Sequence, residues 1–101
     1  MATDNENRID VVDPLARKLV GKYLDNRRDD VGKLTQAVTE ADFETIRVTG
    51  HNLYGSGAAY GFEEISGIGA GIERAAESRD VPAIQQLIAD LRGLLTRLGV
   101  G

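Results

Sequence analysis

Hydrophobic residues recur along this chain three and four positions apart, with polar residues filling the gaps. Leu15, Leu19, Val20, Tyr23, Leu24, Val31, Leu34 and Val38 trace the first stripe, at the spacing that gathers side chains on one face of a helix. Asp13-Pro14 opens it as an N-cap followed by proline at the first helical position. Gly21 and Gly32 mark a break or a close contact, so this stretch reads as one short and one long helix. "EADFETIR" restarts the pattern with Asp42 as the cap. "YGFEE" stops that helix at Gly61 and begins the next, where Glu63 and Glu64 suit the positive end of the helix dipole. Ile65, Ile68, Ile72 and Ala76 form its apolar stripe. "SRDVP" is a further boundary, with Asp80 as cap and Pro82 in the first turn. Ile84, Leu87, Ile88, Leu91, Leu94, Leu95 and Leu98 make the cleanest amphipathic segment of all. No stretch has a strand pattern. The short connections predict antiparallel neighbours and an all-α bundle over residues 13–101, behind a flexible arm of residues 1–12 in which Ile9 and Val11 touch the body.

Composition narrows what such a bundle does. With 101 residues, the chain suits one domain with one modest core. The aromatics are three Tyr and two Phe, so aliphatic residues must fill the interior. The absence of Cys excludes a disulfide framework, a thiolate metal site and a cysteine nucleophile. With a single His, a zinc site would need carboxylates almost alone. The net charge of −4 leaves no basic surplus for phosphates and argues against nucleic-acid binding. No apolar run approaches the roughly 20 residues that cross a bilayer. The polar start "MATDNENRID" has no signal-peptide pattern, and a soluble cytoplasmic protein without membrane contact is expected.

The single histidine, His51, lies in "GHNLYGSGAAYG", among glycine and alanine. On a helical wheel, Phe43, Ile46, Gly50, Leu53, Gly57 and Tyr60 cluster within roughly 100° of arc, which defines the core face. His51 falls about 140° from its centre and points outward. Gly50 and Gly57 allow a neighbouring helix to approach closely. Gly55 cannot serve that purpose, because it shares the outer face with His51, Arg47, Val48 and Ala58. A helix-interior glycine costs about 0.5–1 kcal/mol relative to alanine. An exposed imidazole cleared of bulk by Gly55 and Ala58 is what a partner needs when it brings its own active site to the ring; the plainer reading is an incidental surface histidine.

"HNLYGSGAAYGFEEISGIGAGIE" resembles the signature of histidine-containing phosphotransfer (HPt) domains, through His51, Leu53, Gly55, Ser56, Gly61 and Glu73. The helical segment "NRRDDVGKLTQAVTEADFETIRVTGH" before it is similar to the family's as well. The resemblance implies a four-helix bundle with a short extra N-terminal helix. It implies an exposed histidine that accepts a phosphoryl group from one receiver-domain aspartate and passes it to another. The chain would be a phosphoryl carrier and not an enzyme, with no cofactor of its own and the magnesium on the partner. Response-regulator receivers, and a hybrid histidine kinase, are the implied partners of a monomeric carrier. One position departs from the family's pattern: Tyr54 stands where lysine, which steadies the phosphoryl group, is usual. That departure keeps a second function open, an HPt-like docking module that binds a receiver or kinase without carrying phosphate.

The chemistry asks little of the acceptor. A neutral, exposed ring nitrogen suffices, and an ordinary imidazole with a pKa near 6.5 is mostly neutral at pH 7. By resemblance Glu73 orients the ring; otherwise it is a solvated carboxylate. The phosphorylated ring would carry a charge of roughly −1 to −2. Arg47, one turn before His51, either supplies a cation or is a plain surface arginine. Val48, Ala58 and Ala59 form an apolar docking patch or are scattered surface apolar residues.

Three other signals point elsewhere. "GIGAG" at Gly67 to Gly71 has the glycine density of a nucleotide-binding turn, but it lacks a preceding strand and the GxGxxG spacing. Close helix packing is the better reading. "GSG" at Gly55 to Gly57 lacks the strand–turn–helix setting of a nucleophile elbow. "NRRDD" at Asn26 to Asp30 mixes both charges and reads as a solvated face.

Overall fold

The computed structural model describes residues 14–100, which hold four α-helices and no strand: α1 (Pro14–Thr39), α2 (Phe43–Ala59), α3 (Glu63–Glu77) and α4 (Val81–Arg97). The expected arm with Ile9 and Val11, and the Asp13 cap, lie outside the described residues. No separate short helix occurs among residues 14–100. α1 is one continuous helix; Gly21 and Gly32 sit on its exposed side with open space around them and break nothing. Each helix touches its two neighbours in a closed ring, α1–α2–α3–α4–α1. Leu34, Ile46, Leu53, Ile65, Ile72, Ile84 and Leu91, drawn from all four helices, are the large side chains fully buried at the centre.

Leu15 and Leu19 do not join that core as their stripe predicts; they are 67% and 48% exposed. Length explains it. At 1.5 Å per residue, the 26 residues of α1 span about 39 Å, while the 17 of α2 span about 25 Å. Tyr23 already stacks on Tyr60, just past the end of α2, with ring centroids 4.2 Å apart. The turns of α1 before Tyr23 therefore run beyond α2.

All four helices end alike. Ala41, Gly61, Arg79 and Gly99 have positive φ and follow the helix caps. In each case the next amide reaches back to the carbonyl five residues earlier: Asp42 to Ala37, Phe62 to Gly57, Asp80 to Ala75, Val100 to Leu95. This six-to-one bond satisfies carbonyls that would otherwise lack partners. Asp42 and Asp80 then cap α2 and α4 by accepting from the amides of Thr45 and Ala83, as the sequence predicts. Phe62 offers no side-chain cap to α3, where Glu63 and Glu64 occupy the first turn instead.

The closest packing is between α2 and α3. A Cβ placed on Gly50 would lie 2.7 Å from the backbone nitrogen of Glu73 and 2.9 Å from the carbonyl oxygen of Gly69. One on Gly57 would lie 2.6 Å from the nitrogen of Ser66. Gly69 answers from α3: its Cβ would meet the backbone nitrogen of Tyr54 and the carbonyl oxygen of Gly50. The two backbones touch along this seam, which no residue larger than glycine permits. Thus "GIGAG" serves packing at Gly69, and at Gly71, where a Cβ would lie 3.2 Å from Leu87.

Candidate functional site

The glycine seam sets the position of the site. Gly50 presses against the backbone of Glu73, and His51 is the next residue on α2. His51 therefore emerges beside the side chain of Glu73, on the outer surface of the bundle. Its side chain is 63% exposed and that of Glu73 24%. Nδ1 of His51 lies 3.3 Å from Oε1 and 3.2 Å from Oε2 of Glu73. An ionised carboxylate only accepts hydrogen bonds. In the neutral ring this contact therefore places the proton on Nδ1 and leaves the lone pair on Nε2.

The surroundings of the ring are uneven. Tyr54 is half exposed, and its ring centroid lies 6.5 Å from that of the imidazole at a tilt of 44°. Its carbonyl accepts a 2.8 Å bond from the Ser66 hydroxyl, a second tie between α2 and α3. On the other flank a Cβ at Gly55 would find nothing within 4 Å. Ala58, Ala59 and Val48 are exposed on this same outer face. The structure thus brings His51, Glu73, Tyr54, Gly55, Ala58, Ala59 and Val48 onto one surface.

Arg47 shares that surface, yet its charge is engaged. Nε donates to Oε1 of Glu44 at 3.1 Å and Nη2 to Oε2 at 2.7 Å. The hydrogen bonds and charge of Glu44 raise the guanidinium's pKa above its ordinary value, with Glu73 and Glu77 contributing less. In turn the Arg47 hydrogen bonds hold the Glu44 carboxyl below the ordinary range. Sequence reasoning passed over Glu44, although its spacing of three residues from Arg47 signals a helix-surface ion pair.

A second polar cluster lies on the α1 side of α2. The Ser56 hydroxyl is 2.9 Å from the Tyr23 hydroxyl and accepts a 3.2 Å bond from Nη1 of Arg27. The Arg27 guanidinium lies over the Tyr23 ring, 4.4 Å from its centroid, a cation–π arrangement. Its Nε is 2.9 Å from Oδ2 of Asp30, an ion pair without an aligned hydrogen bond. Burial pushes the Asp30 carboxyl up, against the opposing charges of Arg27 and Lys33. "NRRDD" is therefore not a wholly solvated face, because Arg27 and Asp30 are half-buried against the bundle. The reason is tertiary: Tyr23 and Ser56 are 33 residues apart.

Among the described residues no group of three or more His, Cys, Asp or Glu is arranged to hold a metal ion. None of the described helices is long and apolar enough to cross a membrane.

The family model for the Hpt domain matches residues 18–100, most of the chain. No curated protein and no solved structure was found to match. The chain belongs to the Hpt domain family, the phosphocarrier modules of two-component phosphorelays. Members of this family interact with receiver domains and kinases, and the phosphorylated species is a phosphohistidine.

Proposed function

We propose that His51 carries the phosphoryl group, accepting it from a receiver-domain aspartate and passing it to another. The observation that supports this most directly is the pairing of an exposed His51 with Glu73 at Nδ1, which leaves Nε2 as the nucleophile. The lone pair of Nε2 attacks phosphorus, the P–O bond to the aspartate breaks, and its electrons return to the carboxylate. The ring becomes a phosphorylated imidazolium whose Nδ1–H remains on the Glu73 carboxylate, which offsets the new positive charge. The reverse sequence hands the group on. Magnesium is supplied by the receiver.

In this reading Gly55 and Ala58 keep bulk away from the incoming phosphoryl group. Val48 and Ala59 give the receiver an apolar surface to rest on. Tyr54 stands on the opposite flank, so the partner approaches over Gly55. The Tyr54 hydroxyl offers one hydrogen bond to a phosphoryl oxygen but no positive charge. An antiparallel run of the four helices keeps His51 midway along the bundle, clear of every turn.

The second reading, a docking module that binds a receiver or kinase without accepting phosphate, draws on Tyr54 and on the engagement of Arg47 by Glu44. One experiment separates the two. After incubation with a phosphorylated receiver, acid-labile and alkali-stable label is expected on the wild type and none on His51→Gln. The variant should melt as the wild type does, within about 0.5 kcal/mol, because the ring is at the surface. Receiver binding without label would select the docking module.

A further inference from the structure

Arg47, one turn before His51 on α2, has its charge held by another residue. Glu44, Arg47 and His51 follow one another at spacings of three and four, so they are neighbours along one stripe of α2. Both carboxylate oxygens of Glu44 take the Arg47 guanidinium fork, at 3.1 and 2.7 Å. This draws Arg47 toward the start of the helix while His51 lies one turn in the other direction. The match between planar fork and carboxylate is the same one that recognises a phosphoryl group. On α3, Glu73 and Glu77 also act on the Arg47 charge, more weakly than Glu44 does. Arg47 thus lies within the electrostatic reach of the carboxylate that holds the His51 ring. A phosphoryl group on Nε2, with about −1 to −2 charges, would be a second acceptor for the same fork. Exposed ion pairs such as Glu44–Arg47 are weak enough to exchange.

We propose that Glu44 is a positioning residue that competes with the phosphoryl group on His51 for Arg47. It rests on the reading of His51 as acceptor and adds a control to it. Without phosphate, Arg47 pairs with Glu44. With phosphate, Arg47 turns to the phosphoryl oxygens and Glu44 loses its partner. The phosphorylated state is therefore held less tightly than a free cation would hold it, which favours handing the group on.

The test needs no receiver. Phosphoramidate phosphorylates the chain's single histidine directly: its P–N bond breaks, phosphorus bonds to Nε2, and ammonia leaves with a proton. Phosphorus NMR then follows the second ionisation of the phosphoryl group in the wild type, Glu44→Gln, Arg47→Ala, their double variant, and Glu77→Gln. A nearby cation favours the dianion, so Glu44→Gln should lower this pKa by about half a unit. In the Arg47→Ala background the shift should fall to less than half of that, and Glu77→Gln should shift it less than Glu44→Gln does. A Glu44→Gln shift that persists without Arg47, that equals the Glu77→Gln shift, or that is absent, overturns the competition. Failure to take label from a receiver would count against the transfer reading alone, because this titration bypasses the receiver.

Discussion

On the inner face of α2, Gly50 and Gly57 lie against the backbone of α3, and Gly69 meets Gly50 from the other side. Four residues after His51, on the outer face, Gly55 has open space where its Cβ would be. One residue type serves two opposite ends within eight positions. Inside, the missing side chain lets two helices touch and fixes the spacing of His51 and Glu73. Outside, it leaves room that nothing in the described chain fills. A glycine-rich helix is ambiguous by composition, and only the face each glycine occupies tells packing from clearance.

The sharpest way to break this comparison is to add the same methyl group on either face. Gly69→Ala sets a Cβ 2.6 Å from the Gly50 carbonyl oxygen, against backbone that no rotamer change can move. It should cost about 2–3 kcal/mol, read by urea unfolding, and should loosen the His51–Glu73 contact as the helices part. Gly55→Ala meets nothing and should stabilise the protein by about 0.5–1 kcal/mol, since alanine is the better helix former. Its transfer rate should fall only slightly, whereas Gly55→Gln should slow transfer markedly at equal or better stability. A stabilising Gly69→Ala would end the argument for the seam, and an unaffected Gly55→Gln would end the argument for clearance.

The smallest effect separates the start of α2 from both faces. Hydrogen bonds from the Thr45 hydroxyl, and then from its amide, hold the Asp42 carboxyl below its ordinary value of 3.8. A carboxyl lowered by folding stabilises the native state above its unfolded pKa and loses that contribution as pH falls through the folded one. The part of the stability that Asp42 contributes should therefore be lost as the pH falls through the carboxylate range, and is read as a falling melting temperature. Asp42→Asn, which keeps the cap acceptor but does not titrate, should show a shallower fall over the same range.

Much of this was legible in the sequence because it depends on local geometry. The outward direction of His51, the inward direction of Gly50 and Gly57, the caps at Asp42 and Asp80 and the stop at Gly61 all follow from helical periodicity or cap chemistry. The buried Thr49 shares the inner face of α2, but it carries no apolar signal to mark it. Leu15 and Leu19 kept perfect spacing and still stayed outside the core, since periodicity fixes a face and not the length of the neighbour. The left-handed turns at Ala41 and Arg79 are hidden because neither residue advertises positive φ; packing overrides a cost of about 1–2 kcal/mol at each. The orientation of Arg47 needed a choice among neighbours, and the Arg27–Ser56 bond needed the fold itself.

The seam between α2 and α3 also bears on how reproducibly the ring is presented. Side chains that position one another through rotamers can settle in more than one well, each giving a different geometry. Peptide planes in direct contact have no such wells to exchange. In the proposed carrier role, this stiffness would present His51 in the same placement to each partner in turn.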